Sequence, residues 1–339
     1  AKIREALGQS LQDWQANPEF ENNSLVVLGR PVEDIAPILK ASLDGAFPDC
    51  EVRFFLGGYQ RPSDPLTVPQ HLKRELESKK DDGSSEISTP VTQTDRDNHV
   101  PTIMVVSSLE QCFLRCIQGW EGIEYLQTLS TRDPSQFWVF GCNHWAWVFL
   151  ERVCQVSAYL ENAIALPELS GSDLKAWLTP LVDTWLDTQE TGPMVQVAAA
   201  SDSYWNSLAN VADGIASTAL QVWLKSLQIR TEALSDDRAV LAELPMVELL
   251  PTKPALPGLI TLEAMDRYLL HSLLIHREMT RSHLAISLGE AERNIRSRLQ
   301  VLRREGIIRQ RGRRFSVDPA YYPKLYSELG NNNFLIGKA

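Results

Sequence analysis

The side chains in this sequence best suited to chemistry are its arginines. Arg293, Arg296, Arg298 and Arg303 fall within one helical stretch, and Arg311, Arg313 and Arg314 crowd a glycine-centred turn just beyond it. Guanidinium groups at that density suit contacts to nucleic-acid phosphates. Nothing comparably focused marks a catalytic centre. The six histidines make no HExxH or other ligand cluster, so zinc chemistry has no scaffold. Cys112 and Cys116 stand four apart, a spacing that would put two thiols on one helical face; beside Phe113 and Leu114 they read as reduced, half-buried thiols rather than a metal site. There is no GxSxG elbow and no Cys/His pair in a suitable context, and the carboxylates are too dispersed to nominate an acid/base pair. Trp138, Trp145, Trp147, Trp177, Trp185, Trp205 and Trp223 lie in apolar patterns and read as core rather than as a ligand cage. Gly57-Gly58-Tyr59 reads as a turn.

Charge separates the chain into two parts. The whole carries −10, yet from Gly258 onward fourteen Lys and Arg oppose eight Asp and Glu. A basic terminal module follows an acidic body, an arrangement the net charge conceals. At 339 residues and 44% hydrophobic content the chain has room for two or three domains with their own cores. No window approaches the ~18 consecutive apolar residues of a membrane span. Five cysteines (Cys50, Cys112, Cys116, Cys142, Cys154) without framework spacing indicate a reducing compartment, the cytoplasm. A start at Ala1, with neither Met nor secretory leader, reads as a processed or truncated terminus.

The elements that must position these groups follow from periodicity. Ile3, Leu7, Leu11 and Trp14 mark an amphipathic helix over 2–14. Ser24–Gly29 is a short apolar run ending in glycine, which suits a buried parallel strand. Helical spacing follows through Val32, Ile35, Ile38, Leu39 and Leu43, and then a second strand over 51–56. From 78 to about 100 the sequence is polar and nearly without large apolar residues, and reads as a mobile insertion. Further strands are expected at 102–106, 136–140 and 162–166. Helices are expected at 109–117, at 119–129, from Trp145, and from Ser170 through Leu178. Strands alternating with helices imply a parallel sheet covered on both faces. From 198 to 228 the pattern is wholly helical, and 234–257 is a proline-bearing linker.

The last stretch carries the most specific pattern. Met265, Leu269, Leu270, Leu273 and Leu274 define a first helix over 262–276, and Thr280 caps a second over 281–288 that turns at Gly289. A third helix, 291–304, buries Ile295, Leu299 and Leu302. Then 306–317 reads as two strands turning at Gly312. Three helices and a basic hairpin in this order make a winged helix. Such a domain serves DNA, with the third helix in the major groove and the wing on phosphates, or it serves protein contact with its arginines as a solvated face.

The order of these elements resembles the AAA-type P-loop ATPases, including the Cdc6/Orc-like and STAND-like branches. That resemblance implies an α/β fold: a parallel-sheet AAA-like P-loop domain, a helical lid and a C-terminal winged-helix domain. In that family the first strand runs into GxxxxGK[ST], whose amides cradle phosphates while its lysine meets the β/γ-phosphates and its hydroxyl holds Mg²⁺. Here the matching stretch is Gly29-Arg30-Pro31-Val32-Glu33-Asp34-Ile35-Ala36. The first glycine is present; the Gly-Lys-Ser/Thr end is not. Pro31 removes one N–H donor, and Glu33 and Asp34 suit the helix dipole themselves, filling the anion site rather than serving it. Where acidic residues should end the third strand stand Ser107 and Ser108, with Glu110 two positions late. Asn143 matches the polar sensor of the fourth strand, or else serves as a strand-end hydrogen-bonding residue. No sensor arginine can be assigned in the stretch resembling the lid.

These readings set the expectations. Residues 1–19 form an N-terminal helix, the tail of an upstream region, and 20–180 the α/β domain with the insertion about 78–100. The lid spans 181–232, the linker 233–258 and the winged helix 259–339. The degenerate nucleotide site comprises Gly29, Arg30, Glu33, Asp34, Ser107, Ser108 and Asn143. The tentative nucleic-acid set is Arg293, Arg296, Arg298, Arg303, Arg311, Arg313 and Arg314. No catalytic residue, metal or cofactor is expected, with weak ATP binding left open. The function that follows is that of a pseudo-ATPase, a regulatory or scaffolding protein acting through protein partners and DNA, with ring-like self-association as the resemblance offers it. An atypical ATP-binding ATPase and a plain DNA-binding regulator are the alternatives.

Overall fold

The computed structural model describes residues 2–16, 23–55, 59–78, 101–187, 194–229 and 246–337. They fall into two compact units. The first comprises Ala1–Leu166, Leu262–Val317 and Leu329–Ala339; the second comprises Pro167–Thr261 and Asp318–Glu328. The expected insertion, residues 79–100, lies outside the described residues, as do Gly57, Gly58 and the side chain of Trp185.

The first unit is built on a parallel sheet. Strands β1 (Ser24–Gly29), β2 (Glu51–Phe55), β3 (Thr102–Val106), β4 (Gln136–Asn143) and β5 (Ala163–Ala165) lie in the order β2-β3-β4-β1-β5, every pair parallel. Helices α1 (Lys2–Ala16), α2 (Ile35–Leu43), α3 (Val68–Ser78), α4 (Glu121–Arg132) and α5 (His144–Cys154) connect or cover it. The residues of β1, β3 and β4 are almost all buried, which explains why they read as unbroken apolar runs rather than as alternating strands. Register aligns Gly29 with Asn143 at the carboxyl ends of β1 and β4. In open α/β sheets that edge is where ligand crevices form.

Helix α1 packs Ile3, Leu7, Leu11 and Trp14 in one core cluster with Leu25, Leu39 and Leu43. The helix expected over 109–117 is a single 3-10 turn, Leu109–Gln111, followed by irregular chain. The Leu114 N–H donates to the Gly119 carbonyl at 2.8 Å, and Gln118 sits at φ 59°. A Cβ on Gly119 would come within 2.1 Å of the Leu114 oxygen, so chain folded back on glycine replaces the helix. Cys112 and Cys116 therefore share no helical face. The sheet unit also ends at Leu166, because α6 (Gly171–Asp187) packs Leu174 and Leu178 with Trp205, Leu208 and Trp223 of the following helices.

In the second unit, α6 joins α7 (Asp202–Val211) and α8 (Ala216–Ser226) around that core. It also contains a small sheet, β6 (Met194–Val197), β7 (Leu227–Ile229) and β8 (Met246–Pro251), in the order β6-β8-β7. The prolines that make 233–258 read as a linker hide β8, whose Pro251 lies at the strand's end opposite Leu227. Trp138, Trp145, Trp147, Trp205 and Trp223 are buried, while Trp177 is 38% exposed.

The winged helix belongs to the first unit. Helices α9 (Ala264–His276), α10 (Arg281–Leu288) and α11 (Glu292–Arg304) are followed by β10 (Ile308–Arg311) and β11 (Arg314–Val317), with Gly312 at φ 58° in the turn between them. A third strand, β9 (Glu278–Thr280), completes the wing sheet against β11. Thr280 accepts the His283 N–H at 3.2 Å, the expected cap, and α11 buries Ile295, Leu299 and Leu302. A last helix, α12, spans Tyr322–Asn331. Among the described residues no helix is long and apolar enough to cross a membrane.

Candidate functional site

The loop leaving β1 is short and closed on itself. A Cβ at Gly29 would stand 3.0 Å from both Ile35 and Leu166, so side chains pack where a larger residue would collide. The Arg30 N–H donates to Glu33 Oε2 at 2.8 Å, and the Glu33 N–H returns to the Arg30 carbonyl at 3.0 Å. The carboxylate thus occupies the first backbone amide after β1. Burial raises the Glu33 pKa, opposed by that hydrogen bond and by the Arg30 charge. Asp34 stands at the N-cap of α2 without capping it. Its carboxylate meets the Arg277 guanidinium of the winged helix at 2.9 Å instead.

At the ends of β3 and β4 a second carboxylate is enclosed. Ser107 presents its carbonyl to Gly141, where a Cβ would lie 2.5 Å away. The Ser108 hydroxyl donates to Glu110 Oε1 at 2.7 Å, and the Asn143 N–H to Glu110 Oε2 at 3.3 Å. Glu110, 1% exposed, is carried back to the strand ends by the 3-10 turn, so its two-residue displacement in sequence does not remove it from the crevice. Burial raises its pKa against the pull of Arg277, Ser108 and Asn143. Asn143 has both side-chain atoms committed: Oδ1 accepts the Ala146 N–H at 2.9 Å as the cap of α5, and Nδ2 donates to the Ile275 carbonyl at 2.7 Å.

The carboxyl end of α9 thereby docks on the crevice. The Gln111 amide donates to the His276 carbonyl at 3.1 Å, and the Arg115 N–H donates to His276 Nε2 at 3.1 Å. With Nε2 accepting, a neutral His276 carries its proton on Nδ1, which faces the Glu110 carbonyl at 3.3 Å. Arg61, 7% exposed, donates to the same carbonyl, and burial lowers its pKa to about 10. Arg277 follows at φ 60°, ψ −50°, a strained conformation for a residue with a side chain. Glu110 and Asp34 are the chief electrostatic partners of its guanidinium. Sequence reasoning missed Arg61, Gln111, Arg115, His276 and Arg277. Each is polar, lies in irregular chain or at a helix end, and carries no local pattern that would mark it.

The arginines of α11 and the wing sort into two groups. Arg298 turns back to Glu263 and to Asp266, and Arg314 pairs with Glu278. Arg293, Arg296, Arg311 and Arg313 are exposed, with no ion pair among the described residues. Arg303 donates to Gln310 at 2.6 Å, linking helix and wing. Five of the seven expected residues therefore remain on the α11–wing side, and two are used internally. Among the described residues no group of three or more His, Cys, Asp or Glu is placed to hold a metal ion.

A five-stranded parallel sheet whose first strand enters a loop and helix, a unit of helices with a small sheet, and a winged helix follow one another in the α/β order expected from the sequence. Among solved structures the chain is similar to Cdc6p from Pyrobaculum aerophilum, at 13% identity and TM-score 0.39, covering 99% of this chain and 94% of that one. It is similar to the Aeropyrum pernix Orc1 protein in complex with DNA, at 14% identity and TM-score 0.41, covering 98% and 93%. It is also similar to the Thermotoga maritima RuvB Holliday junction branch migration motor, at 12% identity and TM-score 0.36, covering 95% and 93%. No family model matches the chain, and no curated protein does.

Proposed function

We propose that this chain is a non-catalytic, AAA-like regulatory or scaffolding protein, acting through protein partners and through nucleic acid held by its winged helix. The observation that carries the non-catalytic reading is the Glu33 carboxylate bonded to the Arg30 N–H. A Mg·nucleotide fits these residues poorly for three further reasons. Pro31 offers no donor, the loop has no lysine or hydroxyl at the family's positions, and Asp34 adds a second negative charge. Asn143 is fully buried, with Oδ1 and Nδ2 each bonded to backbone groups. The test is a melting series with millimolar ATP and Mg²⁺. A ligand at a hundred times its Kd would add about 2.7 kcal/mol; the expected shift is none, and a saturable rise in Tm would overturn the reading in favour of an atypical ATP-binding protein.

The nucleic-acid part rests on the unpaired arginines of α11 and the wing. Double charge reversal, Arg311→Glu with Arg313→Glu, should weaken duplex binding at low salt. It should also flatten the plot of log affinity against log salt by roughly 0.9 for each phosphate that is no longer neutralised. Both positions are exposed, so the melting temperature should hold. Wild-type protein without salt-sensitive binding would leave the winged helix as a protein-contact module.

A further inference from the structure

Between α10, α11 and the wing lies a cavity of about 130 Å³. Arg281, Arg296, Arg303 and Gln310 stand around a floor that includes Leu299 and Phe315. At roughly 30 Å³ per water this is the space of about four waters, well below the roughly 300 Å³ at which drug-sized ligands begin to fit. A small oxyanion is the right size. Three arginines line it, and the carboxylate of Glu292, which accepts from Arg281 at 2.8 Å, offsets one of them. The walls are also held in place before any ligand arrives. Arg303 donates to Gln310 Oε1 at 2.6 Å, and Gln310 Nε2 donates to the Gly312 carbonyl at 2.8 Å, so one wall is tied to the wing turn. Arg296 is exposed and has no ion pair among the described residues. Guanidinium forks, with Arg303 fixed in this way, suit the oxygens of a phosphate group better than lysines would.

We infer that this cleft is a phosphate-binding subsite, taking one phosphate group of a nucleic-acid strand that lies along α11 and the wing. The inference rests on the nucleic-acid reading above and deepens it. One phosphate is drawn into a built cleft rather than resting on a solvated arginine face, and the Arg303–Gln310–Gly312 chain couples its capture to the wing turn.

The experiment uses the full chain, a labelled duplex with and without a 5′-phosphate, and inorganic phosphate as the small probe. Arg296→Ala with Arg303→Ala changes exposed positions and should leave the unliganded Tm within a degree or two. In the wild type, inorganic phosphate should raise Tm and displace DNA more strongly than chloride at matched ionic strength; the variant should show neither effect. The variant's salt slope should flatten by about 0.9. A 5′-phosphate that tightens wild-type binding several-fold, and variant binding not at all, identifies a strand end as the source; equal binding of both duplexes identifies an internal phosphodiester. DNA binding with an unchanged slope and no phosphate competition in either protein overturns the cleft and leaves the nucleic-acid reading intact. A phosphate-dependent Tm rise confined to wild type, without DNA binding, overturns the nucleic-acid reading and with it the strand as ligand. Neither effect overturns both.

Discussion

Replacing Asn143 with alanine is expected to destabilise the protein by about 2–4 kcal/mol, with no nucleotide-dependent phenotype to accompany it. Asn143 is fully buried. Its Oδ1 caps α5 through the Ala146 N–H, and its Nδ2 satisfies the Ile275 carbonyl of α9. Removing an N-cap costs about 1 kcal/mol, and stranding a buried carbonyl costs about 1–3 kcal/mol more. Asn143→Asp separates the two roles. It keeps the cap, but turns the donor into an acceptor facing the Ile275 carbonyl and adds a carboxylate beside Glu110, whose Oε2 already accepts the Asn143 N–H. Aspartate should therefore fail to restore stability and fall at least as far as alanine. Urea midpoints at neutral pH read both variants. A residue serving only to orient water would give the opposite result: unchanged midpoints and a change confined to nucleotide turnover.

That residue also shows where sequence reasoning reaches and where it stops. Asn143 is visible because it ends a strand whose neighbours are strictly apolar, and its alternative reading, a strand-end hydrogen-bonding residue, describes what its side chain does. The partner is not visible. Asn143 and Ile275 lie 132 positions apart, Asp34 and Arg277 243 apart, and Arg115 and His276 161 apart. Periodicity reports which face of an element is buried; it cannot report which distant polar group meets it there. Helix α11 is legible because Ile295, Leu299 and Leu302 repeat at one helical period and nothing else competes. The stretch after β3 is not, because Leu109, Phe113 and Leu114 imitate the same period while the folded-back contact of Gly119 on Leu114 sets the chain path. Strand β8 is hidden for a similar reason: its Pro251 and the prolines that follow resemble linker residues until β6 and β7 are placed on either side of it.

The proposed non-catalytic reading treats the crevice as a frame that has outlasted its ligand chemistry. A parallel sheet leaves unsatisfied amides and carbonyls at its carboxyl edge whatever the loop sequence. In this chain Glu33 accepts from the Arg30 amide and Glu110 from the Asn143 amide, while the side-chain amides of Asn143 and Gln111 donate to the Ile275 and His276 carbonyls. The winged helix consequently contributes to the folding of the sheet unit as well as to any outward contact. Its arginines divide accordingly, Arg277, Arg298 and Arg314 inward and Arg293, Arg296, Arg311 and Arg313 outward.

Acid should loosen this unit well above the pH at which carboxylates titrate. His271, His276 and His283 are all buried where the winged helix meets the rest of its unit. His271 Nδ1 accepts from Arg115 at 3.2 Å and its Nε2–H donates to the Leu335 carbonyl at 2.7 Å; His283 Nε2 faces the Pro62 carbonyl at 2.8 Å. Burial lowers His271 and His283 to about 4, with Arg115 adding to the effect at the first and Arg61 and Arg314 at the second. His276 is pushed well below its ordinary value by burial and by Arg61. Unfolding returns each imidazole to a pKa near 6.5, so the unfolded chain binds more protons in the interval between. The stability these histidines contribute is complete above about pH 6.5 and is lost as the pH falls towards 4, at up to ~1.4 kcal/mol per pH unit for each group. Glu33 and Glu110 act in the opposite sense, since burial raises their pKa values and the folded state takes up their protons first. Three imidazoles stand against these two carboxyls. Urea midpoints should therefore fall from pH 7 to pH 5, and His271→Gln with His283→Gln should make the curve shallower. A flat or rising midpoint over that interval would mean that these histidines are already charged in the fold, each with a counter-charge beside it, contrary to the neutral hydrogen-bonded arrangement described.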